Sequence, residues 1–443
     1  MNSVVFLSLG VMFVSLITVI NPFYALPFFI FGHFIEPIQF FPELRTYNPS
    51  LLLGYAVLGA WILHVVFTGN FIAAKNKLVG LVLVFIAWTF ICSIIGSNAT
   101  WNDQMMFIRN VMPFFLFVYM VKTKRQVVIV VWVLMVMGGI AALYGLYCLK
   151  ANIGVRDEGI VRVTSFMSNP NAFGKTLALL IPITMGLLLS NYMYKTKIIL
   201  SGILILLITG VVITYSRTSM IAMLLCLFLT PVMYFKGKNK IIAFMVTLAL
   251  VPVFYYAFPL ERVKWRAHNR LMTTFQAESA AEVDLGRVES ARAGWMMMLQ
   301  NPIFGVGIGG FGHEYYQLAQ QSDDLELVES RYGERGLSAH NLYVQVGGQL
   351  GVVGVGLYFL LIVYAYRNAI KAEKMFEKSE EGTLYALSRS LKIFIIAFMV
   401  IGVTSSGLGN KLFWIVIALV IVLRRLANDQ NTKINHYETI NAV

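Results

Sequence analysis

Twelve long apolar runs dominate this chain of 443 residues and decide what it can fold into. They lie at residues 3–20, 50–68, 78–96, 104–121, 126–148, 172–190, 198–214, 218–234, 241–258, 341–366, 391–407 and 408–423. A helix needs about 20 apolar residues to cross a bilayer. Charged residues make up only 13% of the chain, against roughly 25% in a soluble domain. The sequence therefore predicts an all-α polytopic membrane protein with about twelve transmembrane helices, and excludes a soluble enzyme held by one anchor.

The stretch between the first two runs, residues 21–41, is also apolar but is interrupted by prolines, among them Pro22, Pro27 and Pro37. Proline in the interior of a helix removes a hydrogen bond and breaks or kinks the helix. We therefore expect this stretch to be interfacial or re-entrant.

Lysine and arginine collect in every second connector between the runs. Because cytoplasmic loops are enriched in these residues, both termini are expected in the cytoplasm. The outer connectors are then those near residues 97–103, 150–171, 214–218, 258–340 and 405–411. This organisation divides the chain into nine helices within 1–258, an outer loop domain at 259–340, and three helices with a cytoplasmic tail at 341–443.

The two faces differ in the kind of cation that they carry. The inner connectors hold 14 Lys and 5 Arg, whereas the outer face holds 4 Lys and 12 Arg, within a net charge of +13. A positive-inside bias explains the inner lysines but not the outer arginines. Since arginine binds phosphate or carboxylate in a bidentate manner, the outer face is predicted to bind a fixed anionic ligand.

Two short outer connectors carry an arginine at the membrane edge. Arg162 precedes an Asn169-Pro170-Asn171 turn, in which we expect Asn171 to cap the following helix. Arg162 needs a partner there, and Asp157 or Glu158 offers one. The second connector is the tight turn Ser216-Arg217, where the arginine either snorkels to lipid phosphates or, with the neighbouring hydroxyls, binds a phosphate.

The large outer segment contains a basic cluster that can lie along lipid headgroups, formed by Arg262, Lys264, Arg266 and Arg270. An amphipathic stretch with Arg287 follows, and then a glycine-rich run at residues 305–312. No strand of a βαβ unit precedes this run, so it predicts a turn with close backbone approach and not a dinucleotide site.

His340, followed by Asn341, opens the tenth run on the outer face, where it can act as a general base. The other histidines do not have metal-ligand spacing, and we expect neither a metal nor another cofactor. Arg109 is the charge that lies furthest inside a run, near its outer end.

Taken in order, the outer motifs resemble those of the O-antigen ligase and Wzy-type polymerase superfamily of bacterial envelope glycan enzymes. The matching pieces are the Arg162 to Asn171 loop, the Ser216-Arg217 turn with Ile221, Gly286-Arg287 through Trp295, Asn301-Pro302 to Phe311, and His340-Asn341 running to Gly351. The resemblance covers roughly residues 155–365. The family often has leucine where Ile221 stands, which is a conservative departure.

The resemblance implies about twelve transmembrane helices, a large helical periplasmic loop and a GT-C-like fold. It implies transfer of a glycan from undecaprenyl diphosphate to an acceptor hydroxyl, at the periplasmic face of the bacterial inner membrane. For this chain, the resemblance implies that Arg217 and Arg287 hold the diphosphate and that His340 activates the acceptor. It implies the same diphosphate-binding role for Arg162, on a weaker match. Asn341, Asn169, Asn171, Ser216 and Arg109 are candidates for supporting roles.

The chemistry of the residues agrees with that assignment. A diphosphate leaving group needs its negative charge stabilised by arginines or by a divalent metal. The outer acidic doublets, Asp157-Glu158 and Asp323-Asp324, do not stand at convincing positions for a metal. We therefore favour a metal-free arginine clamp, with direct attack that inverts the anomeric centre.

The sequence is compatible with three functions. A ligase joins the lipid-linked polysaccharide to a sugar of the lipid A core, and a polymerase uses another lipid-linked repeat as acceptor. A transporter or flippase is the alternative from another class. Transporters often have an internal repeat and ionisable groups near mid-membrane, and the sequence shows neither. Besides donor and acceptor, membrane lipids are expected partners and nucleic acid is not.

Overall fold

The computed structural model describes residues 2–35, 49–69, 76–96, 99–157, 160–167, 169–235, 237–242, 245, 285–321 and 337–441. These ranges are almost entirely helical. The helices are α1 (Asn2–Ile20), α2 (Ala25–Phe34), α3 (Pro49–Thr68), α4 (Lys77–Ile95), α5 (Trp101–Met120), α6 (Lys124–Lys150), α7 (Pro170–Leu188), α8 (Tyr194–Val212), α9 (Arg217–Tyr234), α10 (Leu285–Gln300), α11 (Phe311–Gln321), α12 (Leu342–Lys378), α13 (Gly382–Gly402) and α14 (Lys411–Asn441). One antiparallel hairpin, β1 (Val155–Asp157) with β2 (Ile160–Arg162), precedes α7.

Seven of the described helices are long and apolar enough to cross a membrane, namely α4, α6, α7, α8, α9, α12 and α13. This confirms a polytopic helical membrane protein. The number of twelve spans stays a prediction, since α1, α3, α5 and α14 are not among these seven helices. The ninth expected span, 241–258, lies outside the described residues apart from 241, 242 and 245. The basic cluster at 262–270 and the acidic pair at 323–324 also lie outside them.

The proline-interrupted stretch forms short helices. A 3₁₀ turn at Pro22–Tyr24 leads into α2, where Pro27 lies in the first turn and so removes no helical hydrogen bond. Leu26 and Ile30 of α2 are buried, and the helix packs against α3 and α6.

Side chains at the connectors begin several helices. Thr123 forms a capping box with Gln126 at the start of α6, and Thr100 caps α5. The prediction that Asn171 caps α7 was wrong by two residues, because the N-cap is Asn169. Pro170 explains this, since proline is favoured at the first helical position and the cap is then the residue before it.

Helix α12 is longer than the predicted span 341–366 and continues to Lys378. Beyond the apolar run, Ala369, Ala372 and Phe376 are buried at helical spacing, so the amphipathic pattern carries the helix onward. Helix α12 packs against α13, α14, α4 and α10, and α7 packs against α8, α9 and α13.

Helix α12 contains a break at Gly351, whose φ of 66° is in the left-handed region. The amide of Val352 donates to the carbonyl of Pro302 at 2.8 Å, outside the helix. The carbonyls before the break take other donors: Val306 N on Gly348 O (2.9 Å), Gly307 N on Gln349 O (2.9 Å) and Trp88 Nε1 on Leu350 O (3.0 Å).

The glycine-rich run is the segment that docks on this break. Gly305, Gly307 and Gly309 have φ of 66°, 85° and 80°. A Cβ on Gly305 would lie 2.4 Å from the carbonyl carbon of Gln349. The run is therefore a turn with close backbone approach, as the sequence predicts.

Candidate functional site

One cavity of about 250 Å³ lies where the expected outer connectors meet. The residues that line it come from the starts of α7 and α9, from α10, and from the segments before α12 and after α13. They are Asn169, Asn171, Ala172, Lys175, Thr218, Arg287, Ser338, His340, Thr404, Ser405 and Ser406. We call this the first cavity. Four of the residues predicted from the sequence line it directly: Asn169, Asn171, Arg287 and His340.

Arg162 lies behind this cavity and joins two of its walls. Its side chain is buried, with Nη2 donating to Asn171 Oδ1 at 2.6 Å and Nε donating to the carbonyl of Thr214 at 3.3 Å. Arg162 thus ties the hairpin to the start of α7 and to the turn before α9. The structure places it as a support for Asn171, which itself lines the cavity.

The tight turn before α9 is held by its own hydroxyls. Ser216 is the N-cap and accepts from the amide of Ser219 at 3.3 Å, while Ser219 Oγ donates to Ser216 Oγ at 2.9 Å. Tyr215 has a φ of 50°, which is unusual for a residue other than glycine. The turn directs the first residues of α9 toward the cavity. Thr218 lines the cavity, and the half-buried Arg217 is its neighbour in sequence.

A close approach of α7 to this turn requires glycine. A Cβ on Gly174 would lie 2.6 Å from Ser219 Oγ and 2.9 Å from Thr214 Oγ1. Gly174 precedes Lys175, so the contact also fixes the part of α7 that carries this lysine.

Lys175 is the cavity residue that sequence reasoning missed. Its half-buried ammonium donates a hydrogen bond to Ser405 Oγ, across from α7 to the segment after α13. Arg287 lies close enough for the two positive charges to repel. Lys175 follows Asn171 by four residues, so both lie on one face of α7. That spacing was the available signal, although a single lysine near the end of an apolar run is usually only an interfacial anchor.

Three helices begin at this cavity. Asn171 and Ala172 belong to the first turn of α7, Thr218 belongs to the first turn of α9, and His340 immediately precedes Asn341, the N-cap of α12. The N-terminus of a helix carries a partial positive charge and attracts anions. Among the described residues that line the cavity, none is a carboxylate. The cavity is therefore suited to an anion.

His340 lies exposed at the edge of the cavity with a φ of 49°. Asn341 fixes the following turn, because its Oδ1 accepts from the amides of Tyr343 (3.0 Å) and Val344 (3.1 Å). On the other side, the amide of Ala339 donates to Gln345 Oε1 at 2.7 Å. Left-handed backbone at a residue other than glycine is strained, and such strain is common at active sites.

The remaining candidates lie away from the first cavity. The hydroxyl of Ser216 caps α9. Arg109 is half-buried in α5, and its Nε makes no hydrogen bond with any described residue. In the described part of the chain, no group of three His, Cys, Asp or Glu side chains could hold a metal ion.

Residues 202–359 match the sequence model of a protein family described as O-antigen ligase. The matched part runs from α8 into α12 and contains the Arg217 turn, Arg287, the glycine-rich run and His340. No curated protein matches the chain in a sequence comparison. The family has glycosyltransferase-like activity in general, and its substrates are a lipid-linked glycan and an acceptor. The match confirms the resemblance from the Arg217 turn to His340, whereas the Arg162 to Asn171 loop lies outside the matched residues: residues 202–359 correspond to the O-antigen ligase family.

Proposed function

We propose that this protein is a ligase that transfers polysaccharide from undecaprenyl diphosphate to a sugar hydroxyl of the lipid A core. The observation that carries the proposal is the first cavity, where Lys175, Arg287 and three helix N-termini surround one space. We propose that the diphosphate binds there, and that its anomeric C–O bond breaks as the acceptor oxygen bonds to the anomeric carbon, so that the negative charge develops on the departing diphosphate. Positive charges that are already in place around the diphosphate stabilise this developing negative charge and so lower the activation barrier for transfer.

Arg287 and Arg217 are the proposed diphosphate ligands. Arg287 lines the cavity, and its guanidinium can donate two parallel hydrogen bonds to phosphate oxygens. Arg217 is the first residue of α9, next to Thr218 in the cavity wall. Lys175 adds a third cation, as a point charge. Arg162 acts indirectly, since its hydrogen bond to Asn171 fixes the start of α7.

His340 is the proposed general base. Its exposed imidazole lies at the cavity edge, where it can take the proton from the acceptor hydroxyl as the oxygen attacks the anomeric carbon. One direct displacement inverts the configuration at that carbon. The charge stabilisation comes from side chains and helix N-termini in this scheme, so we propose a metal-independent reaction.

The proposal includes the orientation of the protein. Four of the five connectors expected on the outer face meet at the first cavity, whereas Lys124, expected on the inner face, pairs with Glu381 at the other end of the bundle. We propose twelve membrane helices in a GT-C-like arrangement, with the first cavity on the periplasmic side of the bacterial inner membrane. The positive-inside bias supports this orientation.

The lipopolysaccharide of a deletion strain tests the proposal. A ligase predicts lipid A core without polysaccharide, together with unligated polymer that accumulates on its lipid carrier. Core that carries a single repeat would instead show a polymerase, which shares the donor chemistry. Absence of lipid-linked glycan outside the membrane would show a flippase. Re-expression of the intact chain should restore the normal gel pattern.

A further inference from the structure

A second cavity, of about 390 Å³, lies beside the first and shares Ala172, Lys175 and Ser406 with it. Its other walls come from α5, from the glycine-rich run with α11, from α12 and from the segment before α14. A volume of this size falls within the range of roughly 300–1,000 Å³ that small-molecule sites occupy.

The polar chemistry of the second cavity is different from that of the first. Four amides and one carboxylate line it: Asn110, Gln345, Gln349, Asn410 and Asp103. Lys175, on the shared wall, is its single cation among the described lining residues. Amides donate and accept hydrogen bonds, and a carboxylate accepts them. This set matches hydroxyl and acetamido groups better than it matches a second anion.

Two glutamines of α12 place side-chain amides in the wall of the second cavity. Gln345 and Gln349 are only 8% and 6% exposed and stand four residues apart on one face of the helix. Gln345 Oε1 already accepts from the amide of Ala339 and from Ser406 Oγ. The amide nitrogen of Gln345 and the side-chain amide of Gln349 make no hydrogen bond with any described residue, and both residues line the cavity. Their donors and acceptors are therefore available to a polar ligand in the cavity.

The walls around these amides are built rigidly. Asp103 accepts a hydrogen bond from Thr100 at 2.5 Å. A Cβ on Gly309 would lie 2.3 Å from that of Asp103, and one on Gly409 would lie 2.8 Å from Asn110 Nδ2. The backbone of Gln349 is held by the glycine-rich run at the break in α12. Asp103 and the backbone of Gln349 are therefore held in position before a ligand arrives.

We propose that the second cavity binds one neutral sugar unit of a glycan substrate, next to the diphosphate in the first cavity. This inference rests on the proposed function. Lys175 lies at the boundary, where it would contact both the diphosphate and the neighbouring sugar. The sugar is either the unit attached to the diphosphate or the unit that bears the acceptor hydroxyl. Both have the hydroxyl-rich chemistry that the amides recognise.

The test is the substitution Gln349→Met in the full-length protein, which keeps the length of the side chain and removes the amide. Initial transfer rates are measured while donor and acceptor are varied in turn. We expect KM for one of the two substrates to rise by roughly five- to tenfold, the effect of one lost hydrogen bond, with little change in kcat. A rise for the donor assigns the donor sugar, and a rise for the acceptor assigns the acceptor sugar.

Val363→Met is the matched control, because Val363 is an exposed position of the same helix. It should leave both KM values unchanged. If Gln349→Met fails to fold, Asn110→Ala tests the same wall from α5, where Asn110 is half-buried. The same rise in KM is expected for that variant.

Binding of the bare carrier, undecaprenyl diphosphate without sugar, separates this inference from the proposed function. Gln349→Met should bind the bare carrier as the wild type does, whereas Arg287→Ala should bind it more weakly. Wild-type KM values in Gln349→Met, or weaker binding of the bare carrier, would overturn the sugar site alone. A wild type that neither binds the carrier nor transfers glycan would contradict the proposed function and the sugar site with it.

Discussion

The two ends of the helix bundle differ in how their charged side chains are paired and exposed. At one end, Lys175 and Arg287 line a cavity without a carboxylate among its described lining residues. At the other end, Glu373 is only 6% exposed and pairs with Arg389 (Nε to Oε1, 2.6 Å) and with Lys392. The guanidinium of Arg389 also lies 4.5 Å from the ring centre of Tyr385.

The difference separates structural charges from charges placed for a ligand. A buried ion needs a compensating partner. Glu373 finds its partners within the protein, and so it holds α12 to α13. Lys175 and Arg287 instead line one open cavity, where a bound anion can contact both cations, which is the property expected of a diphosphate site. The following predictions test this contrast, from the largest expected effect to the smallest.

Replacement of the base at the cavity end should have the largest effect. His340→Ala should lower the transfer rate by roughly 10²–10⁴-fold, because the acceptor hydroxyl loses its proton acceptor. The rate is measured with purified protein, lipid-linked donor and acceptor. His313→Ala is the control, since His313 is an exposed histidine of α11 that lines neither cavity. Wild-type activity in His340→Ala would remove the general base from the scheme.

Replacement of the arginine fork should have a smaller effect. Arg287→Lys and Arg217→Lys keep the charge but lose the bidentate geometry. Each should lose about tenfold in kcat/KM, which corresponds to one hydrogen bond at ~1.4 kcal/mol. The measurement is the transfer rate at low donor concentration. An unimpaired Arg217→Lys would reduce Arg217 to an anchor that snorkels to lipid phosphates.

Replacement of the carboxylate at the other end should change stability and leave catalysis intact. Glu373→Gln removes the charge that Arg389 and Lys392 share, and a broken buried ion pair costs about 3–5 kcal/mol. Thermal unfolding in detergent should therefore begin at a lower temperature, while the transfer rate per folded molecule stays unchanged.

Lys124→Ala is the matched control for that variant. Lys124 pairs with Glu381 but is 48% exposed, so its loss should cost about 0–1 kcal/mol. An equal fall in stability for the two variants would show that the buried cluster is not a special support of the bundle. A lower rate per folded molecule in Glu373→Gln would show that the two ends are coupled.

Removal of metal should have the smallest effect. Transfer in excess EDTA should match transfer without it, because the proposed charge stabilisation comes from side chains and helix N-termini. A strict requirement for a divalent cation would contradict the metal-free clamp and would direct attention to the acidic pair Asp157 and Glu158.

The sequence predicted the helices better than it predicted the cavities. Apolar runs and connectors follow from local patterns, so the helical membrane fold and the convergence of Asn171, Arg287 and His340 could be anticipated. Lys175 could not, because its hydrogen bond to Ser405 joins residues 230 positions apart. The role of Gln349 could not be predicted either, since it depends on the α5 residues that line the same cavity.

Two predictions about helix ends were wrong, and each error has a cause in the nearby sequence. Asn171 was expected as a cap, but proline at position 170 moves the cap to Asn169, and the side chain of Asn171 instead accepts a hydrogen bond from Arg162. The length of α12 was underestimated because hydropathy marks where the apolar run ends. The helix itself continues to Lys378 through a mixed stretch, in which charged residues are interspersed with Ala369, Ala372 and Phe376.

The break at Gly351 makes the outer segment and the membrane helices one folding unit. The carbonyls of Gly348 and Gln349 accept hydrogen bonds from amides of the glycine-rich run. The carbonyl of Leu350 accepts one from the indole of Trp88 in α4, 262 residues earlier in the chain. Neither partner alone can satisfy them, and unpaired carbonyls in apolar surroundings cost several kcal/mol. A fragment that ends before α12 therefore lacks the joint between α4, the glycine-rich run and α12, and with it Gln349 in the wall of the second cavity.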